Sequence, residues 1–202
     1  MSHFAAVLDA NVLYSYPLTS VLLELAEARL YRPIWSKDIH EEWIRAVVRN
    51  RPDIAPEKLE HRRAAMDRAL PDACVNGYQR LIPVIDLPDP DDRHVLAAAI
   101  RAKAQVIVTF NEKDFPTAVL EQFDLITQHP DTFLRHLIDL APNVLRARLE
   151  TMIKRFSNPP VSNDEYISIL PSSQYGGYGW VSSSSASSLA TLSKTAATSV
   201  CT

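Results

Sequence analysis

Two short runs, "AAVLDANVL" (residues 5–13) and "AQVIVTFN" (residues 104–111), decide how this chain folds. Each is largely apolar, the first uncharged until Asp9 and the second uncharged throughout. Such runs read as strands buried on both faces, and the second, without any charge, as a central one. The first ends on Asp9 and the second on the turn Thr109–Asn111. Around them strands and helices alternate. "LTSVLLELAEARL" (18–30) predicts a helix capped by Thr19 or Ser20, and a short strand follows around Ile34. Ser36 caps the helix of "SKDIHEEWIRAVV", and "APEKLEHRRAAMDRAL" (55–70) is a third helix, opened by Pro56 and closed by Pro71. "LIPVIDLP" (81–88) reads as a strand, residues 91–103 as a helix, "FPTAVLEQF" as a short helix and "DLITQHP" as a last strand. "DTFLRHLIDL" and "PNVLRARLETMIKRF" close the pattern as two helices.

Alternation of this kind predicts an α/β fold, an α/β/α sandwich around a central parallel sheet with extra C-terminal helices. Ligands gather at the carboxyl ends of strands in such sheets. Asp9, the Thr109–Asn111 turn and the "DPDD" turn (89–92) are all expected on that rim.

The acids can be sorted by helical period. Pro90 suits a first helical position, which makes Asp89 the cap. Val95, Leu96, Ala99 and Ala102 form the apolar stripe of the next helix; Asp92 extends that stripe, Asp91 flanks it, and Arg93, His94 and Arg101 face away. A carboxylate on a buried stripe is costly without a partner, so Asp92 is the ligand candidate and Asp91 complements the helix dipole. His94 is expected as an exposed partner of a neighbouring acid. In the Ser36-capped helix, Ile39, Trp43, Ala46 and Val47 face inward, Glu42 borders them, and Glu41 points out to pair with Arg45. Glu42 has two readings, a partner for Arg45 or Arg49 and a third ligand beside Asp9 and Asp92. Asp114 or Thr117 could cap the short helix after the turn.

The 202 residues suit one globular domain with an appendage, and the net charge of -3 gives no global signal for nucleic acid. Cys74 and Cys201 match no metal or disulfide spacing, which points to a reducing cytoplasm. No paired-histidine spacing is present, which argues against a zinc hydrolase. The start has no basic leader region and no apolar run reads as a membrane span. From about Pro171 the chain turns Ser-rich, holds three of the four glycines and only one charge, and is expected to be flexible.

Taken together, "LDANVL", "SKDIHEEW", "DPDDRHVLAAAI" and "VIVTFNEKDFP", in this order, resemble the PIN-domain nucleases, and among them the VapC-type toxins of bacterial toxin–antitoxin pairs. The resemblance runs from Val7 to Phe156, through "HPDTFLRHLID", so a PIN-like domain is expected over 1–156 and an extension over 157–202, with the chain departing from the family after Leu170. It implies an acidic quartet of Asp9, Glu42, Asp92 and Asp114 as catalytic metal ligands, supported by Asn11, Thr109 and Asn111; the family varies between the Asn111 and Asp114 positions. It also implies Mg²⁺ or Mn²⁺, an RNA substrate cut to 5′-phosphate and 3′-hydroxyl ends, a cognate antitoxin and, in some members, a homodimer. Hard cations would neutralise four crowded carboxylates and activate a water. Basic residues must then rim the pocket: Arg45, Arg49, Arg62 and Arg63 are the candidates, with Arg51, Lys58 and Arg68 nearby. Their bland alternative is a solvated face paired with Asp53, Glu57, Glu60 and Asp67. Two rival functions fit an α/β pattern: a receiver-like Mg²⁺-binding signalling domain, and a catalytically silent PIN-like binding domain. The expected order of acids and lysine for a receiver is missing.

Overall fold

The computed structural model describes residues 4–144, 147–148 and 151. They fall into two compact units, one of residues up to Thr19 together with Tyr31–His129, the other of Ser20–Leu30 together with the chain from Pro130. The first unit contains a four-stranded, wholly parallel sheet made of β1 (Ala5–Leu8), β2 (Arg32–Ile34), β3 (Val106–Val108) and β4 (Ile126–Gln128). The strand order is β2-β1-β3-β4. β1 and β3 are the inner strands, fully buried along their length, as their uncharged sequences require. Successive strands run outward from β1 to β2, then cross back to β3 and run outward to β4. The point where the order reverses lies between β1 and β3, and that is where parallel sheets open a crevice at their carboxyl ends.

β1 ends as the sequence predicts, with Asp9 at its carboxyl end. It stops at Leu8 because the Asp9 carboxylate turns back to accept the Ala10 N–H at 2.6 Å, starting the five-residue helix α1 (Ala10–Tyr14). The next helix, α2 (Tyr16–Glu27), begins before the predicted Thr19 or Ser20 cap. Ser15 Oγ accepts the Leu18 N–H at 3.4 Å instead, and Thr19 donates its hydroxyl back to the Ser15 carbonyl at 2.7 Å. α3 (Lys37–Asn50) opens as expected on Ser36, whose buried hydroxyl accepts the Ile39 N–H at 3.2 Å. α4 (Pro56–Ala69) carries the predicted proline at its first turn.

Residues 81–88 do not form the expected strand. Gln79–Val84 is a 3-10 turn around Pro83, which has no N–H to give to a ladder. Ile85 and Leu87 are buried and Asp86 between them is exposed, so the alternation that suggested a strand is real but serves an extended connector. α5 (Arg93–Ala102) follows a 3-10 turn at Pro90–Asp92 and packs against β1, β2 and β3 on one side and the Gln79–Val84 turn on another. Its five consecutive residues Val95–Ala99 are all buried, a wider apolar face than the single predicted stripe. α6 (Thr117–Leu120) leads into β4; neither Asp114 nor Thr117 caps it by a side-chain bond. In the second unit, α7 (Pro130–Leu140) buries Phe133, Leu134, Leu137 and Ile138, and Arg148 lies 3.9 Å from the buried Glu24. The remainder of the predicted last helix, the Ser-rich tail and Cys201 lie outside the described residues. Among the described residues, no helix is long and apolar enough to cross a membrane.

Candidate active site

The register of the sheet builds the centre of the site. Leu8 pairs with Val108, so the next residue on each strand, Asp9 and Thr109, emerges side by side at the switch point. The Asp9 N–H donates to the Val108 carbonyl at 3.1 Å, which carries the ladder one step past β1 and fixes Asp9 at its end. Asp9 is only 2% exposed. Its Oδ2 accepts the Thr109 hydroxyl at 2.7 Å and the Asn11 amide at 2.7 Å. Asn11 also donates to Thr109 Oγ1 at 3.0 Å and accepts the Phe110 N–H on its Oδ1 at 3.3 Å. Thr109 Oγ1 takes the Asn111 N–H at 3.0 Å as well. The three residues Asp9, Asn11 and Thr109 therefore form a closed ring of hydrogen bonds, and the side chain of Asn111, exposed, takes part only through its backbone.

The "DPDD" acids divide as the helical period predicts. Asp89 Oδ1 accepts the Asp91 N–H at 2.9 Å, and Asp91 is exposed. Asp92 is half-buried at the cap position of α5, yet makes no capping bond with its side chain, so its carboxylate is not consumed by the helix end. The electrostatics show what surrounds it. Burial raises the Asp92 carboxyl from 3.8 to about 7, helped by Asp9, Asp89, Asp114 and Glu42. Burial likewise raises Asp9 to about 6, with Glu42 adding to it and the Thr109 hydrogen bond opposing. Three members of the predicted quartet, Asp9, Glu42 and Asp114, thus bear on the fourth, Asp92.

Glu42 and Arg62 meet partners the sequence did not name, while Arg51 and Arg63 take the acid-paired alternative. Glu42 does not reach for Arg45 or Arg49; its Oε2 lies 3.1 Å from His94 Nε2. His94 is an acid's partner as expected but is not exposed, with only 15% of its side chain accessible. Burial, the largest single influence, works against its charged form, but the Glu42 hydrogen bond together with the charges of Glu42, Asp38 and Asp9 raises its pKa. The signal that points to this contact is the unbroken buried run Val95–Ala99: a helix covered on more than one side has no free face for His94. Glu41 pairs with Lys37 at 3.3 Å rather than with Arg45. Arg62 is no surface cation. Its Nη2 donates to the Leu13 carbonyl at 2.7 Å and to Thr19 Oγ1 at 2.9 Å, and its guanidinium lies 4.6 Å from the Trp43 ring centre and 5.3 Å from that of Tyr16. Burial lowers its pKa to about 10. Arg63 faces Glu60 at 3.4 Å and Asp67 at 3.9 Å, and Arg51 is bound by Asp53 at 2.7 Å. Arg45 and Arg49 are exposed and share a face of α3 with Glu42, at i, i+3 and i+7.

The donor set fits a hard cation in chemistry: oxygen donors, mutually repelling, in a partly dry crevice. Among the described residues, no three Asp, Glu, His or Cys side chains stand close enough to enclose an ion directly.

Comparison with known proteins adds two matches along the chain. The profile described as PIN domain matches residues 5–113, and that described as VapC50 C-terminal domain matches residues 130–174. Asp9, Asn11, Glu42, Asp92, Thr109 and Asn111 lie inside the first match, and Asp114 falls one residue beyond it. The chain is also similar to "Putative ribonuclease VapC50" of Mycobacterium tuberculosis, 37% identical over 94 residues. That stretch is 46% of this chain and 55% of the relative, so the chain spans about half the length of the protein it matches.

Proposed function

The chain belongs to the PIN-domain family, and on that premise we propose that it is a Mg²⁺-dependent endoribonuclease that hydrolyses RNA phosphodiesters, acting as the toxin of a toxin–antitoxin pair. The observation that carries the reading is the pair Asp9 and Asp92, two carboxylates pushed up to about 6 and about 7, both by burial and by the charge of Glu42, and Asp92 also by Asp9. Perturbed acids in a crevice at a switch point are what phosphoryl chemistry with a divalent cation uses.

In this reading Asp9, Asp92, Glu42 and Asp114 hold Mg²⁺ or Mn²⁺, directly or through water. A bound divalent cation supplies a lowered water pKa and charge neutralisation at the scissile phosphate. The protein's own part is orientation. Thr109 and Asn11 hold Asp9 in one rotamer by bonds of 2.7 Å each. Asp92 projects free of its helix cap toward the same acids, and Asp114 contributes charge from the turn after β3. Arg45 and Arg49, exposed on the helix that carries Glu42, are placed to receive RNA phosphates beside the acidic crevice. A cognate antitoxin and a homodimer follow from the family reading, as does a cytoplasmic location, and the closing segments up to residue 156 are assigned to the nuclease domain.

The test is induced expression with mapping of newly formed 5′-phosphate RNA ends, wild type against Asp9→Ala, paired with cleavage by purified protein with and without EDTA. EDTA-sensitive cleavage abolished in Asp9→Ala and Asp92→Ala is the expected result. Wild-type protein that cuts no RNA and binds no Mn²⁺ would leave the silent binding domain as the reading.

A further inference from the structure

We propose that His94 is the positioning residue for Glu42, fixing that carboxylate on the crevice through its Nε2–H, and that metal affinity depends on it. The inference rests on the nuclease reading above and adds a residue to it.

Glu42 has the weakest anchorage of the inner acids. Asp9 is held by three hydrogen bonds and Asp92 by its short side chain at a helix start. Glu42 has a longer side chain, stands on a different helix and is 41% exposed. Left alone, it would sample several rotamers and spend much of its time in water. A polar side-chain contact crosses from α5 to α3 here, His94 Nε2 to Glu42 Oε2 at 3.1 Å. α5 also delivers Asp92, two residues earlier, so a single helix sets the position of one acid and the orientation of another.

The residue type matters. An arginine or lysine at position 94 would bring a permanent charge into the crevice and compete with a cation for the same carboxylates. An imidazole directs one N–H at one oxygen and leaves the other Glu42 oxygen open. Its ring is held in place by burial, and the other nitrogen, Nδ1, is buried with no hydrogen-bond partner among the described residues. The hydrogen bond that directs the ring is therefore the one to Glu42. Outer groups that orient a metal ligand in this way typically contribute about 10–100-fold to metal affinity.

The experiment compares His94→Leu, His94→Asn and His94→Gln with wild type, reading Mn²⁺ affinity by titration calorimetry and kcat and KM for RNA cleavage. Gln places an amide nitrogen near the position of Nε2, Asn is too short to reach, and Leu removes the donor while keeping volume. Leu and Asn are expected to weaken Mn²⁺ binding by about tenfold or more and to lower kcat with little change in KM. Gln is expected to recover most of both. Should Leu fail to fold, Asn against Gln carries the same contrast. Mn²⁺ affinity unchanged in Asn, or Gln as impaired as Asn, overturns the positioning role while leaving the nuclease reading intact. Wild-type protein that neither binds Mn²⁺ nor cuts RNA overturns both.

Discussion

At the scale of single residues, the ring of Asp9, Asn11 and Thr109 is the most constrained part of the crevice. Thr109 is fully buried, and its hydroxyl serves one acceptor and two donors. Thr109→Val keeps the shape and leaves an Asn11 amide proton, the Asn111 N–H and one Asp9 lone pair without their partner. A loss of about 1.5–3 kcal/mol is expected, the range for hydrogen bonds to charged groups, measured by urea denaturation, together with a fall in cleavage. Asp92 behaves in the opposite way. It stands among like charges with no cap to satisfy, so Asp92→Asn removes repulsion, not a bond. The metal-free variant is expected to melt several degrees above wild type at pH 8 while cutting no RNA. Such a gain in stability with loss of chemistry separates a ligand from a structural acid.

At the scale of elements, α3 and α4 are locked by groups that look like a polar surface in the sequence. Trp43 Nε1 donates to His40 Nδ1 at 2.9 Å, and Trp35 Nε1 donates to Asp67 Oδ1 at 2.8 Å. Burial lowers the His40 pKa to about 4, against the pull of Asp67, which keeps the imidazole neutral and its Nδ1 able to accept. Arg62 completes the lock from α4. Arg62→Met is expected to lower stability by about 1–3 kcal/mol through the lost hydrogen bonds without changing the salt dependence of RNA binding. Arg45→Ala and Arg49→Ala are expected to do the reverse, each reducing the slope of log affinity against log salt by about one with little change in melting. These outcomes explain what the sequence made legible. β1, β3, the Ser36 and Asp89 caps and the placement of Asp92 were legible because each rests on a local rule: an uncharged run, a cap, a helical period. The His94–Glu42 contact, the burial of Arg62 and the fate of residues 81–88 were not, because each is settled by what packs on the far side of an element. Period assigns a face; only the neighbours decide whether that face meets water.

At the scale of the whole molecule, the crevice trades stability for function in a pH-dependent way. The Asp9 and Asp92 carboxyls sit at about 6 and about 7 in the folded protein against 3.8 ordinarily. Raised pKa values mean that the folded state binds these protons more tightly, so their contribution to stability is complete below about 4 and is lost as pH rises through 6 to 7. His40, with a lowered value, works in the other direction and is common to wild type and Asp92→Asn. The difference in melting temperature between the two, measured in EDTA across pH 5 to pH 8, therefore isolates the Asp92 contribution: it is expected to open as pH rises. Added Mg²⁺ at pH 8 is expected to raise wild type by mass action and to leave the variant nearly unchanged.

The pairing of Leu8 with Val108 has a consequence in time. Asp9 and the hydroxyl that orients it are 100 residues apart in the chain. At a synthesis rate of about 5–20 residues per second, roughly 5–20 s separate the making of the first from the making of the second. During that interval the nascent polypeptide carries the aspartate without the hydroxyl that orients it, and on the nuclease reading proposed above a fragment ending before β3 is expected to be inactive. Stalled chains released before residue 106 and after residue 140, compared for Mn²⁺ binding, are expected to differ as absence from presence. On that proposal topology schedules activity, which is expected only once the third strand has paired with the first.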